Sequence, residues 1–336
     1  MQYLKRRWAA VVAIPAALAI AISSGTAHAA PLNLPGESTQ WQEDDIDDGS
    51  GHLGPVSTSD TYHEAYQSNN VQVSTWRGND SHIWFSYRNG PAYTIDSNAH
   101  TNVAPSIVPF GDGWAAFHVG TDHRIYFVTS TNNPTGRGEW GVWTPIAGNT
   151  TAQSVSVTQL GPGSDQLILA YRGDSTATSD DQRLWWLYFN GRGWSAPQLM
   201  TSWARSPSAP YVAWGNTEGA GSVAAVHRGT DGHVYLSVLD VGDNSWPAWQ
   251  DLGGSASSSP VIAINSFDDV VVSYRDSGGH LHTSAAAEGA GFSPWETDPT
   301  GWQTNVSPGI STVNGAVYLL LTGLNGLVYF RKTFNR

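Results

Sequence analysis

The 336-residue chain contains no cysteine and only two methionines. No disulfide can brace it, no thiolate can act as a nucleophile, and no metal site can be built on sulfur. Charge is also scarce: Asp, Glu, Lys and Arg together make up 13% of the residues, and lysine occurs only as Lys5 and Lys332. With 16 basic residues against 28 acidic ones, the formal net charge is −12. Such a surface lacks the clustered Lys and Arg that a phosphate backbone requires, so nucleic acid is not expected as a partner. Long helical periodicity is missing, and beyond the N-terminal region no apolar run reaches bilayer length, so no membrane span is expected. There is no nucleophile elbow, no phosphate-cradling loop and no HExxH.

The first thirty residues have a different character. Lys5-Arg6-Arg7 is followed by an apolar stretch from Trp8 to Ile22 and then by Ala27-His28-Ala29-Ala30. A basic start, an apolar middle and a small-residue cleavage site are the order of a secretory signal peptide. Residues 1–30 are therefore expected to be a signal, and 31–336 an exported, extracellular single domain, with 31–68 holding a closing strand and the start of the first repeat. Losing Lys5, Arg6 and Arg7 leaves 13 basic residues against 28 acidic ones, a charge of −15.

Glycine (36), proline (18) and tryptophan (16) are abundant, and they recur in order. A proline-bearing step leads into a short apolar strand; a second strand follows and ends at an Arg-Gly turn; a third strand and a tryptophan segment complete the unit. The step occurs at Pro55, Pro105, Pro210, Pro260 and Pro308, with Ser154-Val155 filling the gap, at spacings of 50, 49, 56, 50 and 48 residues. The turn reads Arg77-Gly78, Val119-Gly120, Arg172-Gly173, Arg228-Gly229, Arg275-Asp276 and Thr322-Gly323. Two independent markers give six copies. Strand-length repeats with this period predict an all-β, six-bladed β-propeller. Tyr93, Trp140/Trp143, Trp194, Trp246/Trp249 and Trp295/Trp302 close the first five units, whereas the sixth has no tryptophan of its own. Trp41, upstream of the first repeat, can supply it, which predicts ring closure by an N-terminal strand and the loss of open sheet edges.

The residue before each turn is aromatic or imidazole in five copies (Trp76, His118, Tyr171, His227, Tyr274) and Leu321 in the sixth. Arginine follows it at Arg77, Arg172, Arg228 and Arg275. A flat ring can stack on the C–H face of a sugar, and a guanidinium can donate paired hydrogen bonds to adjacent hydroxyls. Repeated arginines can equally cap strand carbonyls or pair with a nearby Asp, so sugar binding and blade packing both remain open for this row. The tryptophans suit the wedge-shaped gaps between blades.

From Val223 to Ala263 the pattern h-R-G-T-D-G-x-h-Y, then W-x-x-W-x-x-L-G-G and S-x-P, resembles the repeats of bacterial propeller lectins, of the PLL type and more loosely the six-bladed fucose-binding type. The resemblance implies repeated sugar pockets between adjacent blades; no cofactor is expected. Carried over by motif it implicates Arg228 with His227 and Trp246, and by repeat Arg77 with Trp76, Arg172 with Tyr171, and Arg275 with Tyr274. Val119 and Thr322 depart from it, and residues 174–181 interrupt the third copy. The expected partners are glycans or glycoconjugates. The repeat style also resembles secreted actinobacterial propellers such as the dispase autolysis-inducing protein, which would make another secreted protein the partner. A third possibility is a glycan hydrolase or lyase with carboxylates on the propeller axis, for which Asp112, Asp165 and Asp268/Asp269 are the candidates, although each lies in a surface turn. His280-Leu281-His282 could ligate a metal and Glu43-Asp44-Asp45-Ile46-Asp47-Asp48-Gly49 could supply calcium oxygens. Exposed strand histidines and a solvated acidic loop account for both, so no metal is expected.

Overall fold

A computed structural model describes residues 42–43, 63–66, 71–88, 91–136, 138–174, 181–217, 220–240, 243–246, 249–287, 290–313, 315–324 and 328–334. These form 24 strands in six four-stranded antiparallel sheets, with no helix among the described residues. The sheets are the blades of a six-bladed propeller. Blades I to V cover residues 63–94, 106–150, 156–199, 211–251 and 261–297, each running from its innermost to its outermost strand. Blade VI takes three strands from 309–334 and its fourth from the other end of the chain: Gln42–Glu43 pairs antiparallel with Val328–Phe334, Gln42 opposite Phe330 and Glu43 opposite Tyr329. The expected closure by an N-terminal strand is present. Trp41 itself lies outside the described residues, and it is Trp302 that packs on Tyr329, ring centroids 4.4 Å apart.

The innermost strands touch their neighbours all the way round the ring. Ser156 Oγ accepts a hydrogen bond from the Val212 N–H and Thr158 Oγ1 one from the Trp214 N–H, both at 3.0 Å. Every blade is thus sandwiched between two others. The second strand is buried on both faces, so its side chains need not alternate apolar with polar. Gly113–Val119 reads GWAAFHV and is buried throughout. The polar positions in Val71-Gln72-Val73-Ser74-Thr75-Trp76 do not face water: Thr75 Oγ1 donates to the Trp84 carbonyl at 2.8 Å, as Ser273 Oγ does in blade V to the His282 carbonyl at 2.9 Å. Trp76, Trp114 and Trp186 are wholly buried, filling the gaps that widen between blades away from the axis.

Both sequence markers fall where expected. The six turns sit at the ends of the second strands, at Arg77, Val119, Arg172, Arg228, Arg275 and Thr322. Five of the steps lie immediately before an innermost strand, starting at 106, 156, 211, 261 and 309. Pro55 differs: it lies outside the described residues, and its strand starts at His63.

Candidate functional site in the inter-blade clefts

Strands alternate in direction, so each second-to-third turn and the segment leading to the next blade emerge on one face. Main-chain hydrogen bonds tie the two together five times. Thr101, Thr151, Ser206 and Thr304 N–H groups donate to the carbonyls of Ser81, His123, Gln182 and Gly279 at 2.9 Å, and Ala256 N–H to Gly232 at 2.8 Å. The arginine row lies beside these ties.

The turn itself is built around an aspartate. Asp122 Oδ1 accepts from the Arg124 N–H and its other oxygen from the Tyr126 hydroxyl; Asp231 does the same with His233 and Tyr235. Asp80 accepts from the His82 N–H and Trp84 Nε1, and Asp181 from the Arg183 N–H and Trp185 Nε1. In blade V Asp276 accepts from the His280 N–H, and its Oδ2 lies 2.9 Å from His282 Nε2. Burial pushes these carboxyl groups up, but the donated N–H and O–H groups outweigh it and hold all five below the usual range. The glycine after the end of the second strand now has a reason. A Cβ at Gly78, Gly120, Gly173 or Gly229 would collide with the turn aspartate.

Side chains alternate across a strand, and this separates the ring-arginine neighbours. Ala224 and Val226 pack with Val272 and Tyr274 of blade V, while Val223 and Ala225 pack with Ile168 and Ala170 of blade III. Arg228 therefore faces blade V and His227 faces blade III. By the same alternation Arg77 faces His118, Arg172 faces His227, Arg228 faces Tyr274 and Arg275 faces Leu321. Three of these clefts set a guanidinium from one blade against a ring of the next, and the fourth sets Arg275 against Leu321. The pairs the sequence suggests (Trp76 with Arg77, Tyr171 with Arg172, His227 with Arg228, Tyr274 with Arg275) are split between two clefts each.

The opposing walls are aromatic. His118 stacks on Tyr126 (5.2 Å) and meets Trp143 edge-on (4.4 Å); His227 does so with Tyr235 (5.3 Å) and Trp249 (4.6 Å). In blade V Tyr274 stacks on His282 (4.9 Å) and meets Trp295 (4.7 Å). The inner ring of each set is buried, as are Trp76 and Tyr171, and the outer two are half-buried. Burial pulls His118 and His227 down to about 4, so both are neutral at pH 7. Trp246 is buried against Trp186 (6.1 Å, edge-on), a packing position.

The arginines are not equivalent. Arg172 is buried, and its Nε donates to the Ser206 carbonyl at 2.7 Å, closing the connection between blades III and IV. Arg77, Arg228 and Arg275 are half-buried. Arg228 reaches the Ser257 carbonyl at 3.4 Å, and the Nε atoms of Arg228 and Arg275 meet no acceptor. The third-strand residues Trp84, Tyr126, Trp185, Tyr235 and His282 are functional candidates that sequence reasoning left out; an aromatic or imidazole ring four residues after the turn aspartate, six in blade V, was their signal. Trp203, 61% exposed on this face, had no repeat to mark it.

Asp112, Asp165 and Asp268 lie in first-to-second turns on the opposite face. Asp269 is buried and accepts from Asn265 Nδ2 at 3.0 Å, a turn-holding role. His280 and His282 both address Asp276, at 3.7 and 2.9 Å. No cluster of three or more His, Asp or Glu groups arranged to hold a metal ion occurs among the described residues, and 44–49 lie outside them. No helix among the described residues is long and apolar enough to cross a membrane.

No protein-family model matches the chain, and no curated protein does. Among solved structures it is similar to a fucose-specific lectin from Aleuria aurantia (TM-score 0.63, 12% identity, 84% of this chain and 93% of that one). It is also similar to the SapL1 lectin in complex with α-methyl fucoside (0.58, 13%, 80% and 90%). A PQQ-bound aldose sugar dehydrogenase from Streptomyces coelicolor matches as well (0.51, 10%, 88% and 99%). At these identities the likeness is one of fold: the chain is a six-bladed β-propeller whose structural neighbours include fucose-binding lectins.

Proposed function

We propose that this protein is an exported, non-catalytic carbohydrate-binding propeller that takes up saccharides in its inter-blade clefts. The observation that carries this reading is the cleft between blades IV and V. There the half-buried Arg228 guanidinium, its Nε unmet, faces a wall of Tyr274, His282 and Trp295. A directional donor opposite a flat apolar wall matches the two surfaces of a pyranose. Arg77 faces a second aromatic wall, of His118, Tyr126 and Trp143, whereas Arg275 faces Leu321 and Arg172 serves packing. Fold neighbours whose names record fucose add support. Several weak sites facing one glycan-covered surface gain avidity of about 10²–10⁴.

A glycan array probed with the mature chain tests this directly. Binding that weakens in Arg228→Ala while the melting temperature holds is the expected result; no binding to any glycan overturns the proposal. One observation favours a protein partner instead: Trp203 and Leu324 are exposed on the same face. A pull-down of secreted proteins lost in Trp203→Ala, with no glycan bound, is the outcome that reading requires.

A further inference from the structure

The ring before the turn comes in two kinds in blades II to V. Tyr171 and Tyr274 carry a hydroxyl, and both hydroxyls are met across the cleft. Tyr171 donates to Asn149 Oδ1 at 2.8 Å, and Tyr274 accepts from the Ser255 N–H at 3.1 Å. Beside Tyr274, Trp295 Nε1 donates to the Leu252 carbonyl at 2.8 Å. His118 and His227 hold the same place in the alternate blades II and IV. Both are buried, yet His118 Nδ1 and both ring nitrogens of His227 make no hydrogen bond. The main chain of Val119 and Arg228 lies near the imidazoles but outside hydrogen-bond geometry. The buried indole nitrogens of Trp143 and Trp249, whose rings meet these imidazoles edge-on, are unmet as well.

The connection across each cleft explains the difference. Ala99, Asn149, Ala204 and Gly254 each stand two residues before the N–H that ties it to the neighbouring turn. Asn149 supplies the partner of Tyr171, and Gly254 leaves room for Tyr274, since a Cβ there would come within 2.9 Å of its ring. Opposite the two histidines the connection offers only the buried methyls of Ala99 and Ala204, and an imidazole reaches less far than a phenol. The carbonyls that correspond to Leu252 are taken, Ser97 by His82 Nε2 at 3.0 Å and Ser202 by Arg205 Nη1 at 3.1 Å.

We propose that the His118 and His227 clefts each hold one neutral hydroxyl, of a saccharide or of water, at the unmet imidazole and indole nitrogens, where the Tyr171 and Tyr274 clefts carry a phenol oxygen of their own. For a saccharide hydroxyl this rests on the carbohydrate-binding reading and divides its clefts into two classes. A neutral imidazole offers one donor and one acceptor, and an indole adds a second donor. A hydroxyl both accepts and donates, so it answers the two rings together. A carboxylate would leave the imidazole acceptor unmet, and an ammonium would leave both donors unmet. Buried polar atoms without partners are costly, so a polar notch of this kind retains its guest.

The indole N–H resonances of the isotopically labelled mature protein test the assignment. Trp143→Phe and Trp249→Phe identify the two signals, and Trp114, which donates to Asn133 at 3.1 Å, is the reference. The probes are the methyl glycosides of fucose, galactose, mannose and glucose. At least one should shift both signals saturably and leave Trp114 unmoved. Building the tyrosine arrangement into one cleft, His227→Tyr with Ala204→Gly, should abolish the Trp249 response and keep that of Trp143, which also reports an intact fold. His227→Phe should do the same; a Trp249 shift that survives in both variants overturns the site. Long-lived water cross-relaxing to both indoles, with no glycoside bound, upholds the sites with water as their hydroxyl and leaves carbohydrate binding to the glycan array. A glycoside that moves Trp295 but neither signal, with no water held there, overturns the histidine sites and leaves carbohydrate binding standing. Neither response overturns the sites.

Discussion

The Tyr235 hydroxyl donates a 2.8 Å hydrogen bond to Asp231, and that bond raises the phenol to about 12. Gly229 leaves the room for it: a Cβ there would collide with Asp231 Oδ1 and come within 2.6 Å of the Tyr235 ring. Gly229→Ala should cost about 1–3 kcal/mol through this overpacking. Gly136→Ala, where a Cβ meets nothing within 4 Å, should stay within about 0.5 kcal/mol of wild type. Urea unfolding midpoints compare the two, and equal midpoints would show that the turn does not need its glycine.

His118 and His227 make stability depend on pH. Burial, the dominant cause, pulls both from 6.5 to about 4. Between those values the unfolded chain binds more protons than the folded one, so stability rises with pH there. The contribution is present in full above about 6.5 and is lost as pH falls through about 4. Each histidine supplies on the order of a few kcal/mol across that window. His227→Phe should flatten the acid limb of a melting temperature versus pH curve. A wild-type curve level from pH 7 to 4 would sink the idea.

Much of the ring was legible in the sequence because its markers are backbone devices. The Arg-Gly turn and the proline step report local geometry, and local geometry repeats wherever the chain repeats. The clefts were less legible. A cleft joins side chains from two blades, so the partner of Arg228 is not its neighbour His227 but Tyr274, one repeat further on. Period-two alternation makes that swap, and only a decision about which face meets which blade reveals it. The different fates of Arg172 and Arg228 were hidden for a related reason: both end the same strand, yet only Arg172 is drawn in to cap Ser206 at 2.7 Å.

The Arg331–Asp298 pair bridges blade VI and the connection from blade V, and both side chains are almost wholly buried. Removing one partner of a buried pair leaves the other charge away from water without its counter-ion, which costs about 3–5 kcal/mol. Arg331→Met should therefore destabilise strongly. The double variant Arg331→Met with Asp298→Asn should recover part of the loss, because it removes the stranded carboxylate. Guanidinium denaturation of the three proteins checks this. A double variant no better than the single would mean that the pair is not coupled.

Among the described residues, two from the N-terminal segment complete blade VI. Gln42 and Glu43 occupy the outer edge of blade VI opposite Phe330 and Tyr329. Without them the Val328–Phe334 strand exposes its N–H and C=O groups, an edge that can pair with another chain. A protein beginning at residue 46 should melt several degrees lower, at about 2–4 °C per kcal/mol lost for a domain of this size. It should also form dimers or larger species in size-exclusion chromatography as concentration rises. A synthetic peptide covering residues 36–50 should restore both properties when added in trans, since it returns the missing strand. A truncated chain that melts with the wild type and stays monomeric would mean that the first and sixth blades hold together through their innermost strands alone.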